Sequence, residues 1–201
     1  MLKNLIKKPS YVFMGCKHCG KSTQGRLFAE KNNFDFYDVD EIIQRGTGMS
    51  ARDVYKEKGV TGFLLTEEAA CKWIIKKCKE SGDAKGFVIS TGGGICDNAP
   101  ALAALRECGD FVFLKLSVNA SVRRILKNIE EVEPGVFTNV PAYVADASGK
   151  VPNSLDKIKD ILTDKFTERI ACYEKIADIV VDIKNASVDD NFATITKALS
   201  N

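Results

Sequence analysis

The stretch Gly15-Cys16-Lys17-His18-Cys19-Gly20-Lys21-Ser22-Thr23 has the form G-x-x-x-x-G-K-[ST]. Placed between a strand and a helix, such a loop wraps its backbone N–H groups around a β-phosphate, with the positive end of the helix dipole behind them. Lys21 then reaches the β- and γ-phosphates, and the Ser22 hydroxyl ligates Mg²⁺. Gly15, His18, Cys19, Gly20, Lys21, Ser22 and Thr23 are therefore expected to hold ATP or GTP.

A nucleotide loop names no reaction; an acceptor site does. Asp38-Val39-Asp40 ends an apolar run, and alternation along a strand predicts both carboxylates on one face. One of the pair could hold a Mg²⁺-bound water, the other could orient an acceptor hydroxyl and take its proton. The plainer reading is a helix cap at Asp40, ahead of Glu41-Ile42-Ile43. Thr91-Gly92-Gly93-Gly94 strips the end of another apolar run of side chains, so that backbone amides approach a ligand closely; a flexible loop is the alternative. Arg169-x-x-x-Tyr173 places an arginine in a helix that could face the acceptor, or a surface salt bridge.

These residues need strands to carry them. Runs at 11–15, 34–38, 86–90, 110–116 and 178–183 read as strands, two of them nearly continuous in apolar residues, as in parallel strands buried on both faces. Helical spacing starts at Lys21 and recurs over 62–79, 99–107, 120–128, 155–175 and 190–199. The alternation predicts an α/β fold around a central parallel sheet of about five strands. Residues 129–154 hold three of the five prolines and two glycines, which predicts a long loop or lid.

The chain's 201 residues suit one domain, 1–201, and 45% hydrophobic against 28% charged residues excludes a disordered chain, a collagen-like repeat or a disulfide miniprotein. Lys+Arg total 29 and Asp+Glu 27, a net charge of +2 with no basic block, which speaks against a nucleic-acid partner. No apolar run reaches the roughly eighteen residues of a membrane span, so no membrane partner is expected. The N-terminal MLKNLIKKPS lacks the apolar stretch of a signal peptide, and seven scattered cysteines suit a reducing, cytoplasmic setting. Cys16-x-x-Cys19 invites zinc or redox chemistry, but His18 is the one histidine and no second pair completes a site. The thiols read as small apolar residues. Near a helix N-terminus and Lys17 and Lys21, Cys16 and Cys19 could also have lowered pKa values and regulate the loop by oxidation.

Taken in order, the motifs resemble the shikimate kinase family. That family's pattern runs nucleotide loop, D-x-D, G-x-x-x-F-R-x-x-E, T-G-G-G, a lid, then R-x-x-x-Y-x-x-x-A-D. This chain has the loop, Asp38-Val39-Asp40, the segment from Gly59 through Phe63 to Glu67, Thr91-Gly92-Gly93-Gly94, and Arg169 through Asp178. The resemblance covers about residues 10–185. It implies an adenylate-kinase-like three-layer α/β/α core with an acceptor-binding insertion at about 38–67 and a lid at about 129–154. It also implies a cytoplasmic monomer that transfers phosphoryl from MgATP to the 3-hydroxyl of shikimate. By the same matching, Asp40, Gly92, Gly93, Gly94 and Arg169 hold this small-molecule acceptor, Asp40 and Lys21 are catalytic, Ser22 and Asp38 attend the metal, and Arg124 stacks on adenine.

Three positions depart from the pattern. Leu64 stands where the family has an arginine that grips the acceptor's carboxylate, although Arg45 and Arg52 lie nearby in sequence. The lid lacks its arginine, with Lys150 its single base, and His18 replaces a loop glycine. A kinase of a different hydroxylated acceptor and a non-catalytic ATP-binding relative are the alternative readings.

Overall fold

The structure is a computed structural model and describes residues 9–81, 85–146 and 148–200; the N-terminal residues 1–8, on which the leader reading rested, lie outside it. Five strands form one parallel sheet: β1 (Tyr11–Met14), β2 (Asp35–Asp38), β3 (Phe87–Ser90), β4 (Asp110–Lys115) and the last strand of the chain, β7 (Ile179–Asp182). Their order across the sheet is β2-β3-β1-β4-β7, so β1, which feeds the nucleotide loop, lies at the centre. Its neighbours are in register at Val12↔Ile89 and Val12↔Phe111.

Alternation along these strands divides the core in two. Val12, Met14, Ile89, Phe111 and Phe113 face helices α2 (Val39–Thr47), α3 (Ala51–Ser81), α4 (Ala99–Leu105), α5 (Val118–Leu126) and α6 (Leu155–Ile176). Tyr11, Phe13, Val88, Val112 and Leu114 face α1 (Lys21–Asn32) and α7 (Val188–Leu199). Burial on both faces explains why the central strands read as unbroken apolar runs. The result is the expected three-layer arrangement, and no helix among the described residues is long and apolar enough to cross a membrane.

The structure corrects three expectations. First, Asp38 and Asp40 do not share a strand face: β2 ends at Asp38, and Asp40 sits in the first turn of α2, a helix the strand reading omitted. The cap is Asp38, not Asp40, because the Asp38 Oδ1 accepts the backbone N–H of Asp40 at 2.9 Å and of Glu41 at 3.3 Å. Second, the segment at 129–154 is not one long loop. It contains an antiparallel hairpin, β5 (Glu130–Glu133) and β6 (Val136–Thr138), turned by Pro134 and Gly135, whose φ is 74°. A short helical turn follows at Ala142–Val144. Third, the helix expected over 62–79 begins earlier, at Ala51, and is broken at Gly59, where φ is 64° and ψ −171°. Its two parts pass through one long path but belong to separate rods.

Candidate active site

The sheet's strand ends open into a cleft of about 790 Å³, lined by the nucleotide loop, the Gly92–Gly94 turn, α3 and α6. β1 carries the chain into the loop, and α1 starts at Lys21. Gly15 has φ 147°, and a Cβ there would stand 2.8 Å from the Leu114 carbonyl oxygen. Lys21 is buried; its Nζ donates to the carbonyl oxygens of Gly15 (3.0 Å) and Cys16 (3.1 Å), which holds the ammonium inside the loop. Gly20, Ser22 and Thr23 line the cleft, and the Ser22 and Ser90 hydroxyls are 3.2 Å apart.

His18 takes φ 62°, a left-handed backbone that glycine adopts freely and that strains a residue with a Cβ by about 1–2 kcal/mol. Its side chain is largely exposed and borders the cleft, so the departure at this position burdens the backbone and adds an imidazole to the cleft's lining. The imidazole pKa is lowered by burial and by Lys17, Lys21 and Arg124. Arg124, from α5, donates from Nη1 to the His18 carbonyl oxygen at 2.7 Å and from Nη2 to Asn185 Oδ1 at 3.1 Å. Its guanidinium therefore borders the nucleotide loop, on the outer side of the site.

Each glycine of the turn after β3 makes room for a different group. A Cβ at Gly92 would stand 2.8 Å from Glu67 Oε1, at Gly93 2.7 Å from the Lys17 backbone nitrogen, and at Gly94 2.6 Å from Arg169 Nη2. The triplet is thus a crossing point and not a slack loop: the acid, the nucleotide loop and the arginine all meet it at backbone distance. Thr91 anchors the turn, donating from its hydroxyl to the Phe13 carbonyl oxygen at 3.1 Å.

Asp40 and Arg169 face the same cleft. Asp40 meets the cleft's solvent, yet surrounding protein raises its pKa by burial, and the Asp38 carboxylate adds to the rise; Lys21 and Lys17 pull the other way. Arg169 is buried, donates to Asp97 Oδ2 at 2.8 Å and lies 4.7 Å from the centre of the Tyr143 ring. A cation over an aromatic face is held electrostatically as well as by contact. Position 64 presents Leu64 to the cleft, as the sequence required. Of the two arginines near it in sequence, Arg45 is exposed and pairs with Glu41 at 3.8 Å, whereas Arg52 lines the cleft.

Several lining residues escaped sequence reasoning as site residues: Lys17, Tyr143, Lys165 and Asp97; Arg52 stood out only as an arginine near position 64 in sequence. Glu67 had appeared only as the end of a motif. It is 1% exposed, accepts from Asn98 Nδ2 at 2.9 Å through Oε2, and leaves Oε1 without a partner. Burial pushes its carboxyl up to about 7, against the pull of Asn98. One signal was available for it, a lone glutamate on the apolar face of an amphipathic helix, between Phe63, Ala70 and Ile74. Asp38 does not line the cleft; capping α2 occupies one of its oxygens.

The Cys16 thiol does not behave as the loop's charges suggested. Cys16 is buried and its pKa is pushed up to about 12, mainly by desolvation, so the neighbouring Lys21 does not make a thiolate of it. Among the described residues there is no cluster of three or more His, Cys, Asp or Glu that could hold a metal ion.

Comparison with known proteins agrees with this geometry. The family model described as shikimate kinase matches residues 17–200. A shikimate kinase of Thermodesulfovibrio yellowstonii is 30% identical over 186 residues, 92% of each chain. One from a Sulfurihydrogenibium species is 35% identical over 119 residues, 59% of this chain and 65% of that protein's length. Among solved structures, shikimate kinase from Aquifex aeolicus is 28% identical with a TM-score of 0.67, covering 95% of this chain and 96% of the other. The Acinetobacter baumannii enzyme in complex with shikimate shares the fold at 23% identity, with a TM-score of 0.74 over 96% and 93% of the two chains. With the family model spanning nearly the whole chain and the motifs meeting in one cleft, the chain belongs to the shikimate kinase family.

Proposed function

We propose that this protein transfers the γ-phosphoryl group of ATP to the 3-hydroxyl of shikimate, a step of aromatic amino acid biosynthesis. One observation carries the reading: the nucleotide loop, Asp40 and Arg169 open onto one cleft, in a chain of the shikimate kinase family. The cleft also keeps its cationic lining, with Lys17, Arg52, Lys165 and Arg169, which suits an anionic acceptor better than a neutral one.

In this reading the loop's backbone N–H groups and Lys21 hold the phosphates, and Arg124 covers the nucleotide's outer side. The acceptor lies between Asp40, the glycine turn and Arg169. Its hydroxyl oxygen attacks the γ-phosphorus as the bond to the β–γ bridging oxygen breaks, ADP leaves, and the hydroxyl proton passes to Asp40. The raised pKa of Asp40 makes it a better proton acceptor than an ordinary aspartate. Lys21 offsets the charge that develops on the transferred group, and positioning supplies most of the remaining acceleration.

Mg²⁺ fits the residues present. The Ser22 hydroxyl and the Asp40 carboxylate both open on the cleft, and the Asp40 pKa is raised by burial and then by the charge of Asp38, so a cation beside Asp40 would be favourably placed. A magnesium ion keeps several waters and takes its other ligands from phosphates, so Ser22 with one carboxylate nearby suffices. When bound, the ion neutralises phosphate charge. The test is a coupled assay of ADP release with MgATP and shikimate, with the phosphorylated product identified by mass. Acceptor-dependent release with that product supports the reading; tight ATP binding without transfer overturns it.

A further inference from the structure

The acceptor cleft has an uncharged side chain at Leu64, where its family carries a charged one, and a charged one at Arg52, twelve residues earlier. Leu64 and Phe63 make the second rod of α3 apolar where it meets the cleft. Glu67, one turn on, is buried with Oε1 unpartnered, so this wall offers an anion nothing. The first rod, which starts at Ala51, carries Arg52 into the same space.

Arg52 is incompletely used by the protein. Its Nη2 donates to the Val140 carbonyl oxygen at 2.8 Å, its one hydrogen-bond partner among the described residues. The Nε–H is buried and has no partner. No carboxylate among the described residues lies within ion-pair distance of it. A guanidinium offers five donors in a planar fork matched to a carboxylate, so most of this fork is uncommitted. Lys17, which lines the same cleft, also has no ion-pair partner among the described residues, and its ammonium is destabilised first by burial and then by the charge of Arg52, with Asp40 pulling the other way. Cations that raise each other's energy around a cavity mark where an anion belongs. By contrast, Arg169 and Lys165 already share Asp97, at 2.8 and 3.6 Å.

We propose that Arg52 binds the carboxylate of the acceptor, supplying from the first turn of α3 the charge that Leu64 does not. The assignment rests on the kinase reading above and adds a specificity-determining residue to it. A carboxylate placed there takes up the open donors of Arg52 and lies between that residue and Lys17. The planar fork also fixes the ring's orientation, which turns one hydroxyl toward Asp40.

The competing role for Arg52 is to pin the Val140 turn, and the experiment separates the two. Shikimate and its methyl ester are compared as acceptors for the wild type, Arg52→Leu, Arg52→Lys and the double variant Arg52→Leu/Leu64→Arg, each checked for folding by thermal denaturation. Loss of a charge-assisted bidentate contact raises KM for shikimate about 10–100-fold. The KM for ATP stays within about threefold, and the preference for acid over ester collapses in Arg52→Leu because the ester never engaged the fork. Arg52→Lys recovers part of that preference, and the double variant restores it from the opposite wall. An Arg52→Leu variant that loses acid and ester turnover equally would show a pin for the Val140 turn and overturn the assignment. A wild type that binds MgATP but phosphorylates neither compound would overturn the kinase reading itself, and this assignment with it.

Discussion

Gly93 and Lys17 meet backbone to backbone, the turn after β3 pressed against the nucleotide loop so closely that a Cβ on Gly93 would lie 2.7 Å from the Lys17 nitrogen. Neither backbone can yield as a flexible side chain does. Gly93→Ala is therefore expected to push the loop outward, at about 1–3 kcal/mol of stability. Thermal denaturation will show a lowered Tm, and calorimetry a weaker affinity for MgATP. Unchanged values for both would mean the two backbones are not coupled.

Lys21→Met removes the one cation held inside the loop. With the charge gone from the developing phosphoryl, turnover falls by about 10²–10³. The variant still folds, since the methionine stem occupies the same buried path. A kcat within threefold of the wild type would take Lys21 out of the chemistry.

Glu67 gives stability a pH dependence whose sign is fixed by its surroundings. The unfolded chain releases this proton near the usual 4.5, whereas the native state holds it up to about 7. Across that window the native state binds more protons than the unfolded one, so stability falls as pH rises, by about 3 kcal/mol in total. Glu67→Gln keeps an oxygen for Asn98 and cannot titrate. Denaturant unfolding is expected to give similar stabilities for the two proteins at pH 5 and a more stable variant at pH 8. Parallel curves across this range would place the titration elsewhere.

Cys16 is held as a thiol, its pKa pushed to about 12, and Cys96 is raised to about 12 as well. Thiolates alkylate and oxidise; thiols do so slowly. Iodoacetamide at pH 7.5 is expected to leave both unlabelled in the native protein and to label them after denaturation, as peptide masses will show. Mild peroxide should likewise leave MgATP affinity unchanged. Rapid native labelling of Cys16 would reinstate the oxidation-sensitive loop.

The parts of this molecule that local chemistry dictates were legible in its sequence. The five strands announce themselves because both faces are buried, and the nucleotide loop because its glycines and lysine sit at fixed offsets. The hairpin was harder: Pro134-Gly135 reads as a breaker, and Glu130, Glu131 and Glu133 hide a strand whose residues are all exposed. α2 was obscured because Asp38 ends a strand and caps a helix at once, so two periodicities meet at one residue. Arg52 was legible only as a neighbour in sequence. Its place in the same cleft as Leu64 depends on how α3 breaks at Gly59, a tertiary fact that no local pattern encodes. Tyr143 and Lys165 likewise reach the cleft from segments distant in sequence, and nothing in their neighbours marks them.

That break has a consequence of its own. A side chain at position 59 would touch nothing within 4 Å, yet it would have to adopt φ 64°. Crowding and torsion, entangled at most glycines, are separated here. On one side of the joint lies the short rod bearing Arg52, tied to Val140 and buried in the core through Val54; on the other lies the long rod anchored in the same core through Ile74 and Cys71. Residue 59, which does not line the cleft, thereby sets the angle between the two parts of α3 that do.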